Sequence, residues 1–253
     1  MGELGMLQWL AVAASALLVG MSKAGFGTGA GLLAVPLMAT ALGAERMLGV
    51  MLLVLIIGDI FSILHYLGKH DTRNLLMLVP GLATGVVLGS LALGWFRALP
   101  DADLWMKRLV GALSIVFVGL QFVRMAREKQ LGAVATPYRP KVWHGVGLGM
   151  CAGVTSTLAH AGGPLVAIFM LPQNLPKQTF VGTVVKYFFI GNVIKLAPYF
   201  YNGLMTRDNT LLALGLLPAV VVGTFLGVYL HGKFSDRSFR LVVYGLAFCL
   251  GLY

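Results

Sequence analysis

Apolar stretches long enough to cross a bilayer recur along the chain, at about 46–67, 74–96, 104–123, 178–202, 209–231 and 238–253. Polar residues gather between these stretches and do not alternate within them. Each stretch therefore predicts a helix that is apolar on all sides. Two further regions, about 4–42 and 142–172, are apolar but broken. The first reads as a helix to Gly20, the glycine-rich SKAGFGTGAG (22–31), and a short apolar piece to Leu42. The second runs to Gly153, continues as TSTLAHAGGP (155–164), and closes with LVAIFMLP to Pro172.

The pattern occurs twice. A displacement of 133 residues puts Gly29 on Gly162, Gly49 on Gly182, Gly58 on Gly191 and Tyr66 on Tyr199. After a five-residue insertion the displacement is 138, and Pro80 meets Pro218, Gly85 meets Gly223, Gly89 meets Gly227 and Phe96 meets Phe234. So many matches in one order indicate an internal duplication. Residues 1–123 form the first repeat, 124–141 a basic linker and 142–253 the second repeat. Glycine-interrupted segments at matching places in two repeats point to a transporter's binding site.

Composition narrows the class. Of 253 residues 58% are hydrophobic and 11% charged, and mean hydropathy is +0.86. Too little polar surface is available for a soluble domain, and the chain is far too apolar for a disordered one. The 19 Lys and Arg, against 9 Asp and Glu, give a formal charge of +10. They lie mostly between apolar stretches and form no basic patch with interleaved aromatics, so nucleic acid is not an expected partner.

These cations also orient the chain. If each broken region were one span, each half would hold four spans, the repeats would be parallel, and 8 cations would fall on either side. If each broken region is a pair of short or re-entrant helices, the repeats are inverted. The count is then 11 inside, 5 outside and 3 within the segments. The biased count favours an all-α integral membrane protein of two inverted repeats, about five helical segments each. The broken Gly-rich helices meet near the bilayer midplane, the linker is cytoplasmic and both termini are outside. No cleavable leader is expected, because the first apolar stretch lacks a basic flank and a small-residue cleavage site.

The three interior cations are Lys23, Lys186 and Lys195, and Asp59 is the one acid well inside a span. Charge at membrane depth is costly and marks function. Three cations against one anion predict a cavity for an anionic ligand, although a lysine paired with Asp59 or snorkelling to an interface would serve structure alone. The glycines at 25, 27, 29, 31, 162 and 163 let backbone approach closely, and helices that end there leave N–H groups suited to an anion. Small residues that only pack helices closely would give the same composition. Ser22, Thr28, Thr155, Ser156 and Thr157 add hydroxyl donors. His160 bonds the ligand, carries a proton or packs. Asp59 falls on the position matching Asn192, and this pair is the candidate for coupling to a proton.

Other residues receive plainer readings. Tyr66, Tyr199 and Trp143 read as interface anchors, and His70, His144 and His231 as groups facing water near loop ends. His65 lies near membrane depth. Cys151 and Cys249 read as small packing residues, with no disulfide or metal spacing. The GxGxG spacing of GFGTGAG suggests a nucleotide-binding turn, but no strand precedes it. No HExxH, GxSxG, Walker or paired-carboxylate pattern appears, and nothing in the sequence orients His160 near Ser156 for catalysis, so an enzyme is not expected. No metal and no cofactor are expected.

At the two breaks the chain resembles the TauE/SafE family of anion transporters. The resemblance rests on MSKAGFGTGAGLLAVPLMA (21–39), GMCAGVTSTLAHAGGPLVAIFMLPQ (149–173) and KQTFVGTVVKYFFIGNVIK (177–195). It spans nearly the whole chain. Thr28 and Ala30 interrupt the longer glycine run that members often carry. The resemblance implies a secondary transporter in the bacterial-type inner (cytoplasmic) membrane, often an exporter, for sulfite or small organosulfonates. Some relatives take other sulfur-containing or carboxylate anions. The expected partners are a small anion and membrane lipids, with a second copy of the chain as the oligomer to consider. An anion channel and a membrane-embedded accessory subunit are the rival readings.

Overall fold

The computed structural model describes residues 5–26, 31–131, 140–173 and 175–231. The elements are helices α1 (Met6–Met21), α2 (Gly31–Leu42), α3 (Ala44–His65), α4 (Thr72–Arg97), α5 (Ala102–Leu131), α6 (Val142–Ala159), α7 (Gly163–Met170), α8 (Lys177–Tyr201), α9 (Arg207–Gly215) and α10 (Leu217–His231). A π-helical turn, Ser22–Phe26, extends α1. Among the described residues four helices are long and apolar enough to cross a membrane: α1 with its turn to Ala24, α3, α4 and α8. A fifth is formed if α9 and α10, bent by 44°, count as one span. The protein is an all-α membrane protein. The expected run at 238–253 and Cys249 lie outside the described residues.

Helix starts follow local chemistry. The Asp71 carboxylate accepts from the Asn74 N–H at 2.8 Å, and the Thr206 hydroxyl accepts from the Asn209 N–H at 3.1 Å. These caps use one of the N–H groups that a helix start leaves unpaired. α5 continues two turns beyond the apolar run that ends near 123, through a stretch of strong helix formers, so the first part of the expected linker is helical.

Each broken region folds back on itself. Gln8, near the start of α1, donates to the Ala41 carbonyl near the end of α2 at 3.1 Å. At the other break Gln173, just past α7, accepts from Asn74 at the start of α4 at 2.9 Å. That end of α4 lies against the start of α6, where Gly145 faces Met77. So α1–α2 and α6–α7 are hairpins whose tips are the two glycine-rich breaks.

Loop ends group accordingly. Arg46 Nε donates to Asn209 Oδ1 at 3.3 Å, and Arg97 pairs with Glu45, which gathers the starts of α3 and α9 with the end of α4. At the other end the Asp71 N–H donates to the Thr183 hydroxyl at 2.8 Å, beside the start of α8. A four-span reading would set Arg46 and Arg207 on opposite faces, which the Arg46–Asn209 bond rules out.

Close contacts recur by the displacements seen in the sequence. The helix pairs α1/α10 and α4/α6 touch at glycines, because only a missing Cβ lets two backbones come this near. A Cβ on Gly223 would strike the Leu17 carbonyl, and one on Gly85 the Met150 carbonyl. Gly227 faces the Met21 carbonyl as Gly89 faces that of Val154, and Gly20 faces Val220 as Gly153 faces Leu82. The five-residue insertion is split. Gly68 and Gly203, both left-handed at φ 74° and 67°, match at a displacement of 135, as do the caps Asp71 and Thr206. The other three residues enter at the bend between α9 and α10, where α4 is continuous.

Candidate functional site

Helices α3 and α8 cross antiparallel at the centre. Asn192 Nδ2 donates to Asp59 Oδ2 at 2.7 Å, so the two positions matched by the duplication touch each other. One face of α8 carries Phe188, Asn192, Lys195 and Tyr199, spaced by four, three and four residues. The matching face of α3 carries Asp59, Ser62 and Tyr66. Both hairpin tips reach this crossing.

The first tip brings Lys23. Its ammonium lies 2.7 Å from Asp59 Oδ1 and 4.8 Å from the centroid of the Phe188 ring. The second tip brings Ser156 and His160. Lys195 Nζ bonds the Ser156 hydroxyl at 3.0 Å, the Ser156 carbonyl at 3.3 Å and His160 Nδ1 at 3.2 Å. His160 Nε2 lies 3.0 Å from the Leu48 carbonyl. An ammonium can only donate and a carbonyl can only accept, so these bonds assign the neutral imidazole with its proton on Nε2. His160 also ends α6 with φ 50°, a left-handed conformation that non-glycine residues seldom adopt. Such strain clusters at binding and catalytic sites.

A tyrosine ties each tip to the crossing helices. Tyr66 Oη donates to the Ala24 carbonyl at 2.7 Å, and Tyr199 Oη to the Thr157 carbonyl at 2.6 Å. Both tyrosines are buried, so they are struts of the breaks and not interface anchors. The expectation overlooked that a tyrosine hydroxyl at a span's end can find a protein acceptor inward. Trp143 is exposed as expected, and the large exposed aromatics near the opposite ends include Trp9, Trp95, Trp105, Phe200 and Tyr201.

Charge is unevenly compensated. Asp59 and Lys195 are both fully buried at 0% exposure, and Lys23 keeps 7%. Lys23 takes the one carboxylate. Among the described residues Lys195 has no acid within ion-pair distance and is held by neutral acceptors alone. The C-terminal dipole end of α6 offsets part of its charge. With all three groups ionised, the cluster of Lys23, Lys195 and Asp59 carries one net positive charge where burial of charge costs several kcal/mol.

The remaining candidates sort by position. Lys186 stands apart, nine residues before Lys195 on α8, with its ammonium 3.0 Å from His70 Nδ1. His70 therefore has a protein partner. Thr155 and Thr157 donate to the Cys151 and Gly153 carbonyls of their own helix, at 2.9 and 2.8 Å. Ser22 is buried in the π-helical turn that also contains Gly25. Gly162 precedes α7 and packs against Ser156 and Phe188, and Gly163 is the first residue of α7. Gly27, Thr28 and Gly29 lie outside the described residues. His65 is exposed, and Cys151 is a free thiol on the exposed face of α6, not a packing residue. Sequence reasoning missed Phe188 and the Leu48 carbonyl. The spacing of Phe188 from Asn192 and Lys195 was the available signal for the first; a backbone oxygen leaves none. No group of three or more metal-ligating side chains gathers among the described residues.

Fold and site together define a multi-pass membrane protein with a buried lysine-bearing centre between two helical hairpins. The family model "Sulfite exporter TauE/SafE" matches residues 12–253, and the chain belongs to that family of anion transporters. Neither a curated protein nor a solved structure matches the chain.

Proposed function

We propose that this protein is a secondary exporter of sulfite or small organosulfonate anions across the cytoplasmic membrane, working by alternating access. The observation that carries the reading is Lys195. Its ammonium is fully buried at the second break and faces neutral acceptors only, so the centre favours an anion. The binding set is Lys23, Lys195, Ser156 and His160, framed by the glycines and hydroxyls of both breaks. Asp59 and Asn192 are bonded across the crossing, and any ion coupling would pass through this pair.

Residues 1–123 and 142–253 act as inverted repeats around a cytoplasmic linker at 124–141, with the tips near the midplane. The grouping of Arg46 with Asn209, and of Asp71 with Thr183, supports this arrangement. Alternating access rocks one repeat against the other. An inside-negative potential favours anion export by about 2.3 kcal/mol per charge per 100 mV. Export therefore needs no coupled ion to run downhill.

Proteoliposomes holding the purified chain test this. Saturable sulfite or sulfonate efflux is expected, falling on the order of a hundredfold in Lys195→Met. Unchanged efflux in that variant overturns the site. Single-channel currents replace the carrier with a channel, and no flux from the purified chain leaves the accessory-subunit reading.

A further inference from the structure

We propose that Asp59 sets the charge of the transported anion, making the site one for monoanions. The inference rests on the anion-transport reading and adds which charge state is carried. Three ionisable groups meet at the crossing: Lys23 on the first tip, Asp59 on α3 and Lys195 on α8. His160 joins them as a neutral imidazole, fixed by its bonds to Lys195 and the Leu48 carbonyl.

No other titratable side chain is described against Asp59. The α3 turn carrying it packs on Val19 of α1 and Val220 of α10 through Gly58, and α8 presents Asn192. The charged residues at the start of α9 lie at the far end of α3, beside Arg46. With Asp59 ionised the cluster holds one net positive charge, and one anionic charge completes it. A second negative charge would enter uncompensated among buried groups, where the cost is severe.

Asp59 is suited to this role because both its oxygens are engaged, Oδ1 by Lys23 and Oδ2 by Asn192. It cannot swing away to make room for a dianion without leaving two polar groups unpaired. Of the two forms that sulfite takes near neutrality, the site accepts hydrogensulfite.

Two sulfonates of similar size and fixed charge separate the cases: 2-hydroxyethanesulfonate with one charge and sulfoacetate with two. Binding to the purified full chain in detergent is measured by calorimetry. The wild type is expected to prefer the monoanion by about tenfold or more. Asp59→Asn adds one positive charge to the cluster and shifts the ratio toward the dianion on the order of tenfold.

The double variant Lys23→Met with Asp59→Asn returns the cluster to a single net charge, and its ratio is expected to move back toward the monoanion even where the loss of Lys23 lowers affinity for both. It also serves where Asp59→Asn alone does not fold. An unchanged ratio in Asp59→Asn, or a dianion preference in the double variant, overturns the proposal while leaving anion transport standing. A wild type that binds neither sulfonate nor sulfite overturns the transport reading beneath it.

Discussion

The two breaks occupy matching places in the chain and are held by the same tyrosine-to-carbonyl bond, yet they manage buried charge in opposite ways. At the first, the lysine is on the hairpin tip and its carboxylate partner on the following helix, 2.7 Å away. At the second, Ser156 stands where Lys23 stood, Asn192 replaces Asp59, and the lysine has moved to Lys195, where the first half has Ser62. The scaffold is duplicated; the electrostatics are not. One half holds a closed ion pair and the other a cation with only dipoles around it.

Removing each lysine breaks the comparison most sharply. Lys23→Met leaves the Asp59 carboxylate buried without its counterion, and a loss of about 3–5 kcal/mol of stability is expected. Lys195→Met removes a buried charge that no acid balances, and stability is expected to stay level or rise while anion binding is lost. Chaotrope unfolding in detergent reads both. Equal losses in the two variants would mean that Lys195 has an ionic partner after all and that the asymmetry is false.

The scaffold itself is expected to answer symmetrically. Gly49 faces the Leu204 carbonyl and Gly182 the Lys69 carbonyl, each with no room for a Cβ. Gly49→Ala and Gly182→Ala should each cost about 1–3 kcal/mol by forcing backbone apart. Gly147 on α6 has open space around its Cβ position, and Gly147→Ala should be neutral or stabilising by about 0.5–1 kcal/mol. A thermal-unfolding series settles this, and a large difference between the first two variants would show that the halves are packed differently.

Much of this was legible in the sequence because membrane helices announce themselves by length and apolarity, and because duplication repeats its glycines at fixed displacements. The hairpins followed from counting cations. Asp59 against Asn192 followed from alignment of the halves, and the structure adds that the two are bonded. Lys186 reads like Lys195 in the sequence, since both are lysines at depth on one helix; only the third dimension sends one to His70 and the other to the centre. Tyr66 and Tyr199 were misread for the same reason: a phenol's position along the chain does not say whether its hydroxyl finds water or a carbonyl. The Leu48 carbonyl, which fixes the His160 tautomer, has no signature in side-chain identity at all.

The two tyrosine struts come next in size. Tyr66→Phe and Tyr199→Phe each orphan a buried carbonyl at a break, and about 1–2 kcal/mol is expected for each. Function should separate them. The Tyr199 ring lies edge-on to His160, with centroids 5.9 Å apart, so Tyr199→Phe should weaken anion affinity more than Tyr66→Phe. A stronger binding defect in Tyr66→Phe would move the open cation site to the first half.

The smallest effect tests the duplication at its finest grain. Gly68 and Gly203 turn the chain between matching helices with φ 74° and 67°, although the residues flanking them differ. A Cβ on either would touch nothing within 4 Å, so the cost of Gly68→Ala or Gly203→Ala is backbone strain alone. About 1 kcal/mol is expected from each, and nearly the same from both. Both turns deliver a backbone carbonyl, from Lys69 and Leu204, onto the glycine of the opposite half. A loss at one turn but not the other would mean that only one of these carbonyls holds the halves together, and the equality of the scaffold would fail where it is easiest to measure.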